Sequence, residues 1–160
     1  MRNHKTKSDI CQMKINPFNE TYFMKEAIKE ARKALLKDEV PVGAIIECGN
    51  RIIARAHNLT EHLNDFTAHA EMQAFTSASN FLGGRYLNEC TLYVTLEPCT
   101  MCAGAAYWSK LKKIIYGAKD IKKGHARLSQ KILHPKTQLE SGLLDAECSK
   151  LLTEFFKSKR

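Results

Sequence analysis

With 160 residues, 44% of them hydrophobic and 26% charged, the chain can enclose one sizeable core without disulfide staples and is too short for two ordinary domains. No apolar run approaches the length that crosses a bilayer, and the polar, mixed-charge start lacks the apolar centre of a secretion signal, so the expected setting is the cytoplasm. The net charge of +8 is uneven: residues 1–14 carry four Lys/Arg against one acid, residues 15–109 eight against eleven, and residues 110–160 thirteen against five. Positive charge gathered in the last third suits a polyanionic partner, nucleic acid first, or else a solvated basic surface with no partner.

Residues 1–16 read as a flexible tail ahead of a single domain over 17–160. Asn19 is placed to cap a helix running to about Lys37, with Phe23, Ala27, Ile28, Ala31, Ala34 and Leu35 on one apolar face at helical spacing. Pro41 separates it from a strand over 42–48. Gly49-Asn50 is a hairpin turn signal, and residues 51–56 form the returning strand. A polar loop with Asn58, Thr60, Glu61, His62, Asn64 and Asp65 follows. Thr67 can cap a second helix, Ala68 to about Ser79, with His69 and Glu71 in its first turn. Gly83-Gly84 ends it, and residues 91–96 form the clearest buried strand. Pro98 opens a third helix with Cys99 and Cys102 in its first turn, reaching about Ser109, before a strand over 113–117. Strand, short helix and strand in so few residues make a parallel crossover, so the class is α/β with helices on the faces of the sheet. From Ala118 the periodicity fades through a Lys-rich, loop-like stretch. Residues 138–140 suit a short edge strand, and Gly142 precedes a terminal helix from Leu143 to about Lys157, whose Leu144, Cys148, Leu151, Leu152, Phe155 and Phe156 are mostly core-facing.

Two short segments carry chemistry together that neither carries alone: His69-Ala70-Glu71 and Pro98-Cys99-Thr100-Met101-Cys102. Of six cysteines, at 11, 48, 90, 99, 102 and 148, only Cys99 and Cys102 are close. That spacing fits a cytosolic metal or redox site better than a secreted disulfide framework. Cysteines three apart at a helix start face one side, and the positive helix end favours thiolates. With His69 they make three zinc ligands, leaving the fourth tetrahedral position for a water that ionises near neutral pH. Cys90 lacks a partner at ligand spacing and reads as a buried thiol. Glu71, two residues from His69, does not project parallel to it and is assigned the proton-moving role, not a metal bond. This pairing is the signature of zinc nucleobase deaminases. Three duller readings stand beside it: a redox dithiol, half of a structural zinc site, and an unrelated core histidine with a surface acid.

His-Ala-Glu followed by Leu-Glu-Pro-Cys-Thr-Met-Cys-Ala-Gly-Ala (96–105) resembles the cytidine deaminase-like superfamily, and specifically the bacterial tRNA adenosine deaminases of the TadA type. The resemblance runs from about Tyr22 to Arg160 and includes Asp38-Glu39-Val40-Pro41-Val42-Gly43-Ala44, Tyr116-Gly117-Ala118-Lys119-Asp120, Leu133-His134-Pro135 and Phe155-Phe156-Lys157. It implies a three-layer α/β/α fold around a mixed five-stranded sheet, one zinc ion per chain, a homodimer, and conversion of wobble adenosine to inosine in a tRNA anticodon loop. It implies substrate contacts from Asn58, the backbone of Ala68, Asp120, Lys122 and Phe155; for Phe155 a core aromatic is the alternative. It places Ala103 and Gly104 on the cysteine helix under the pocket. The chain departs from the family pattern at Leu59, where a proline is usual, and at His125-Ala126-Arg127-Leu128, where small residues are. Tyr107-Trp108 resembles the related guanine deaminases, so a free-base or nucleoside deaminase is the nearest alternative. A non-catalytic, zinc-stabilised RNA-binding module is the alternative of another class, and Glu71 argues against it.

Overall fold

The computed structural model describes residues 17–160; the tail expected at residues 1–16 lies outside the described residues. The first helix, α1 (Glu20–Leu36), begins where Asn19 accepts a hydrogen bond from the Tyr22 N–H at 2.8 Å, which satisfies a donor the helix start would otherwise leave open. A hairpin follows, β1 (Gly43–Cys48) and β2 (Arg51–His57), turned at Gly49 and Asn50, both with φ near +60°. Then come α2 (Ala70–Leu82), β3 (Cys90–Leu96), α3 (Thr100–Ser109), β4 (Lys113–Ala118), a 3-10 turn at His125–Arg127, β5 (Gln138–Ser141) and α4 (Asp145–Ser158).

The strands form one five-stranded sheet in the order β2-β1-β3-β4-β5. β1 runs antiparallel to β2 and to β3, whereas β3, β4 and β5 are parallel, so the sheet is mixed. Alternation along the strands sorts the core into two layers. Ile45, Tyr93 and Ile115 meet Phe23, Met24, Ala27 and Ile28 of α1 and Cys148 of α4. Ile46, Leu92, Val94 and Ile114 meet Ala74, Phe75 and Ala78 of α2 and Ala106 of α3. The result is the three-layer α/β/α arrangement that the resemblance implies, with α1 and α4 on one face and α2 and α3 on the other. Gly43 is required by this packing, because a Cβ there would stand 2.0 Å from the Ala27 carbonyl oxygen.

Several boundaries differ from the sequence expectation. Thr67 does not cap α2: its hydroxyl and its N–H both donate to Asp65 Oδ1, at 2.7 and 2.8 Å, and His69 takes the cap position. Cys99 likewise sits at the cap of α3, not within its first turn. α4 starts two residues late because Leu144 adopts a left-handed φ of 54°. Phe156 is 49% exposed and Leu35 36% exposed, each at the margin of a stripe whose centre alone is buried.

Candidate active site

The crossover β3-α3-β4 delivers the start of α3 to the end of the sheet where β3 finishes, and α2 packs against α3 with its own start alongside. His69 makes no capping hydrogen bond, and the partner that Cys99 takes on its own helix is Cys102. His69 and Cys99 face each other. His69 Nδ1 lies 3.6 Å from Cys99 Sγ and 3.5 Å from Cys102 Sγ, and the three ligand atoms lie within 4.8 Å of one another, a group that can hold a metal ion. Cys102 is fully buried on the first turn of α3.

The electrostatics centre on these atoms. A hydrogen bond from Cys102, helped by His69, holds the Cys99 thiol down to about 3, so it is a thiolate at neutral pH. Cys102 keeps the proton it shares with Cys99 and is pushed upward by that bond and by burial. His69 is raised, first by its bond to Cys99. Glu71, in the first turn of α2 and 4% exposed, is pushed up to about 7 by burial, against the lowering effects of a backbone N–H and of His69, and is hydrogen-bonded to Cys102. A carboxyl that can gain or lose a proton near pH 7 thus touches the three-ligand group, which is what acid–base work requires.

Two loops flank this floor, each hung on a buried glutamate to which sequence reasoning gave no role. Glu39 is fully buried. Its Oε1 accepts the His62 N–H at 2.6 Å, and its Oε2 accepts Asn58 Nδ2 at 3.1 Å and the Thr60 hydroxyl at 3.4 Å. Because a carboxylate only accepts, Asn58 must turn its amide nitrogen toward it. The Asn58 carbonyl oxygen therefore points the other way, with no protein partner among the described residues. Glu97, 5% exposed, accepts the Asp120 N–H on Oε2 and the Ala126 N–H on Oε1, both at 3.0 Å. Gly124 presses on it so closely that a Cβ would stand 2.4 Å from Glu97 Cδ, and Gly124 bridges to Cys99. The 120–126 loop is thus tied directly to Cys99.

The sequence-predicted contact residues fall into three places. Asn58 and Ala68 share one wall, joined by a hydrogen bond from the Leu59 N–H to the Ala68 carbonyl at 3.1 Å. Asp120 and Lys122 belong to the other wall, where Asp120 Oδ1 accepts the N–H groups of Lys122 and Lys123 at 3.0 and 2.9 Å. Phe155 is 7% exposed and lines a hollow of about 520 Å³ with Val40, Glu61, His62 and Lys159, at the outer side of the Asn58 loop. A further residue unremarked in the sequence is Gln73. Its Nε2 donates to the carbonyls of His57 at 2.7 Å and Ala68 at 3.0 Å, with that of His69 at 3.4 Å. The advance signals for Glu39 and Glu97 are their apolar company, Val40-Pro41-Val42 and Leu96 with Pro98, and their place in the segments that carry the resemblance.

Comparison with known proteins gives consistent results. The model of the MafB19-like deaminase family matches residues 18–160. The tRNA-specific adenosine deaminase of Bacillus subtilis is 46% identical over 143 residues, 86% of this chain and 89% of that protein. A structure solved in a study of A-to-I editing by tRNA:A34 deaminases at the wobble position of transfer RNA is 43% identical, with a TM-score of 0.78, covering 82% of this chain and 99% of its own. The guanine deaminase of Bacillus subtilis is 39% identical, with a TM-score of 0.61, over 63% of this chain and 65% of its own.

Proposed function

The chain belongs to the MafB19-like deaminase family and, within it, to the tRNA-specific adenosine deaminases, and from that premise we propose that it hydrolytically converts adenosine to inosine at the wobble position of a tRNA anticodon. The catalytic unit is residues 17–160, acting in the cytoplasm as a homodimer, for which the exposed Phe81, Leu82 and Trp108 on α2 and α3 offer an apolar surface.

The observation that carries the reading is the ligand geometry beside Glu71. A tetrahedral zinc with Zn–N near 2.0–2.1 Å and Zn–S near 2.3 Å separates nitrogen from sulfur by about 3.6 Å, and the His69 Nδ1 to Sγ distances are 3.6 and 3.5 Å. His69, Cys99 and Cys102 would hold one zinc ion, which, when bound, lowers the pKa of water at its fourth position to near 7 and so supplies the nucleophile. Glu71 accepts a proton from the water that adds at C6 of the adenine and delivers it to the neighbouring ring nitrogen, then takes the proton of the C6 hydroxyl and passes it to the amine as the C6–N bond breaks. The balance is water consumed and ammonia released. Asn58, with its carbonyl oxygen free, and the Ala68 backbone orient the base from one side. Asp120 and Lys122 contact the flanking nucleotides from the other, and Phe155 supports the Asn58 loop from its outer side.

The guanine deaminase reading is weaker because the tRNA-specific relatives are 43% and 46% identical over 88% and 86% of the chain, against 39% over 63% for the guanine deaminase, and a free base has no use for thirteen Lys/Arg after Ser109. Incubation with a tRNA bearing adenosine at the wobble position, and separately with guanine, adenosine and cytidine, separates the readings. Inosine in the tRNA is the expected result; ammonia from guanine with no inosine in the tRNA would overturn it.

A further inference from the structure

Beyond the ends of the parallel strands opposite the ligand group lies a second concave site, about 490 Å³, lined by Tyr86, Asn88, Lys110, Lys112, His134 and Lys136. Asn88 precedes β3, Lys112 precedes β4 and Lys136 precedes β5. Its walls are tied to one another: the Leu87 N–H donates to the Ser109 carbonyl at 2.8 Å, the Gln138 N–H to the Lys112 carbonyl at 2.9 Å, and Thr137 Oγ1 to the Leu111 carbonyl at 2.6 Å. Lys110 stands 4.4 Å over the Tyr86 ring, and the Lys136 N–H donates to His134 Nδ1 at 3.2 Å.

No carboxylate lines this site, and among the described residues Lys110, Lys112 and Lys136 form no ion pair. The adjacent Lys113, on the other face, is held by Glu20 and Glu140, each at 2.8 Å. Neutralising acids are therefore present where a lysine serves the fold and missing around the hollow. Three ammonium groups outweigh the roughly half negative charge at the end of α3, and like charges converging on a concavity raise its attraction for anions.

We propose that this hollow binds backbone phosphates of the substrate's anticodon stem, a contact separate from the one that holds the reacting base; it rests on the tRNA reading above. β3 alone sets the hollow at least about 20 Å from the ligand group. Phosphates on one strand of a duplex are about 3.4 Å apart along the axis, so the hollow meets RNA on the order of six phosphates from the target, which is stem and not loop. Tyr86 and Lys110 supply an aromatic platform under a cation, and Lys112, Lys136 and Asn88 supply donors that suit phosphate oxygens of any sequence.

The test is salt-dependent binding of a wobble-adenosine anticodon hairpin, and of the linear loop oligonucleotide without its stem, to the full chain and to Lys112→Gln/Lys136→Gln. Glutamine keeps most of each exposed side chain, so the fold should persist, checked by circular dichroism and zinc content. Expected for the hairpin is roughly a tenfold loss of affinity, with the slope of log K against log salt reduced by about 1.5, while the loop oligonucleotide changes by less than about twofold. Equal loss on both RNAs, or no loss on either, would overturn the proposal. So would saturable binding of inorganic phosphate that the double variant abolishes without changing hairpin affinity, which would make the ligand a small anion. Binding is read without reference to inosine, so a chain that binds the stem but forms no inosine would overturn the functional reading alone.

Discussion

The floor of the site and its rim are both organised by buried acids, but to opposite ends. On the floor, Glu71 sits among two cysteines and a histidine, and burial lifts its carboxyl to about 7. On the rim, Glu39 and Glu97 are as deeply buried, yet each is surrounded by N–H and O–H donors from the loop it supports. An acid whose oxygens are taken up by the donors of a loop holds that loop in place, whereas one set beside two cysteines and a histidine is placed to move a proton. Burial of an acid therefore says little about function until its donors are named.

The comparison breaks most severely at the floor. Cys102→Ser should remove the metal and all measurable inosine formation, with zinc content by atomic absorption falling together with activity. Glu71→Gln should leave zinc at one per chain and still cost on the order of 10²–10⁴ in turnover. Loss of zinc in that variant would mean that Glu71 is a ligand and that the division of roles is wrong.

The metal-free protein isolates the burial of Glu71. Its folded pKa of about 7 lies above the value near 4.5 of an exposed glutamate. The stability linked to its protonated form is therefore complete below about pH 4.5 and is lost as pH rises through 7. The difference between the two ends amounts to about 3 kcal/mol. In urea unfolding of chelated protein from pH 5 to 9, the stability of the unaltered chain relative to Glu71→Gln should show this decline. An equal decline in both proteins would assign it to His69, which is also raised, because the lowered Cys99 thiol makes stability rise over this range.

The floor was legible in the sequence because its geometry is local: Cys99 and Cys102 are three residues apart at the start of α3, and His69 and Glu71 are two residues apart. What could not be read was that His69 and Cys99 occupy cap positions. Thr67 is the better capping residue by type, but its hydroxyl is taken by Asp65. The parallel crossover and the helices on the faces of the sheet followed from the β3-α3-β4 spacing, whereas the mixed five-stranded sheet and its three layers were what the resemblance implied. The start of α4 did not, because nothing about leucine announces the left-handed φ at Leu144. The rim was least legible, since the donors of Glu39 lie 19 to 23 residues away and those of Glu97 23 to 29, and in one dimension an acid beside a loop looks like a solvated one.

At the rim the expected effects are smaller and of a different kind. Glu39→Gln replaces one acceptor oxygen with a donor that faces Asn58 Nδ2 or the His62 N–H, which should cost about 2 kcal/mol, a fall of roughly 4–8 °C in Tm for a domain of this size. KM for tRNA should rise more than kcat falls, because Asn58 loses its orientation while the metal group is untouched. A drop in kcat with unchanged KM would move Glu39 from scaffold to chemistry.

Gln73 joins the two regions, and its substitution is the finest test of how separable they are. Its amide carries two hydrogens, directed at the carbonyl of His57, beside Asn58, and at that of Ala68, beside His69. Methionine of similar volume removes both bonds and should cost about 1 kcal/mol. Glutamate substitutes an acceptor where three carbonyls converge and should cost more. Because the clamp spans floor and rim, Gln73→Met should raise KM severalfold with zinc still bound, and Gln73→Glu should also lower zinc affinity, read by competition with a chelating dye. If methionine matched the unaltered chain in both measurements, wall and floor would be held in register by α2 packing alone, and the amide would be incidental.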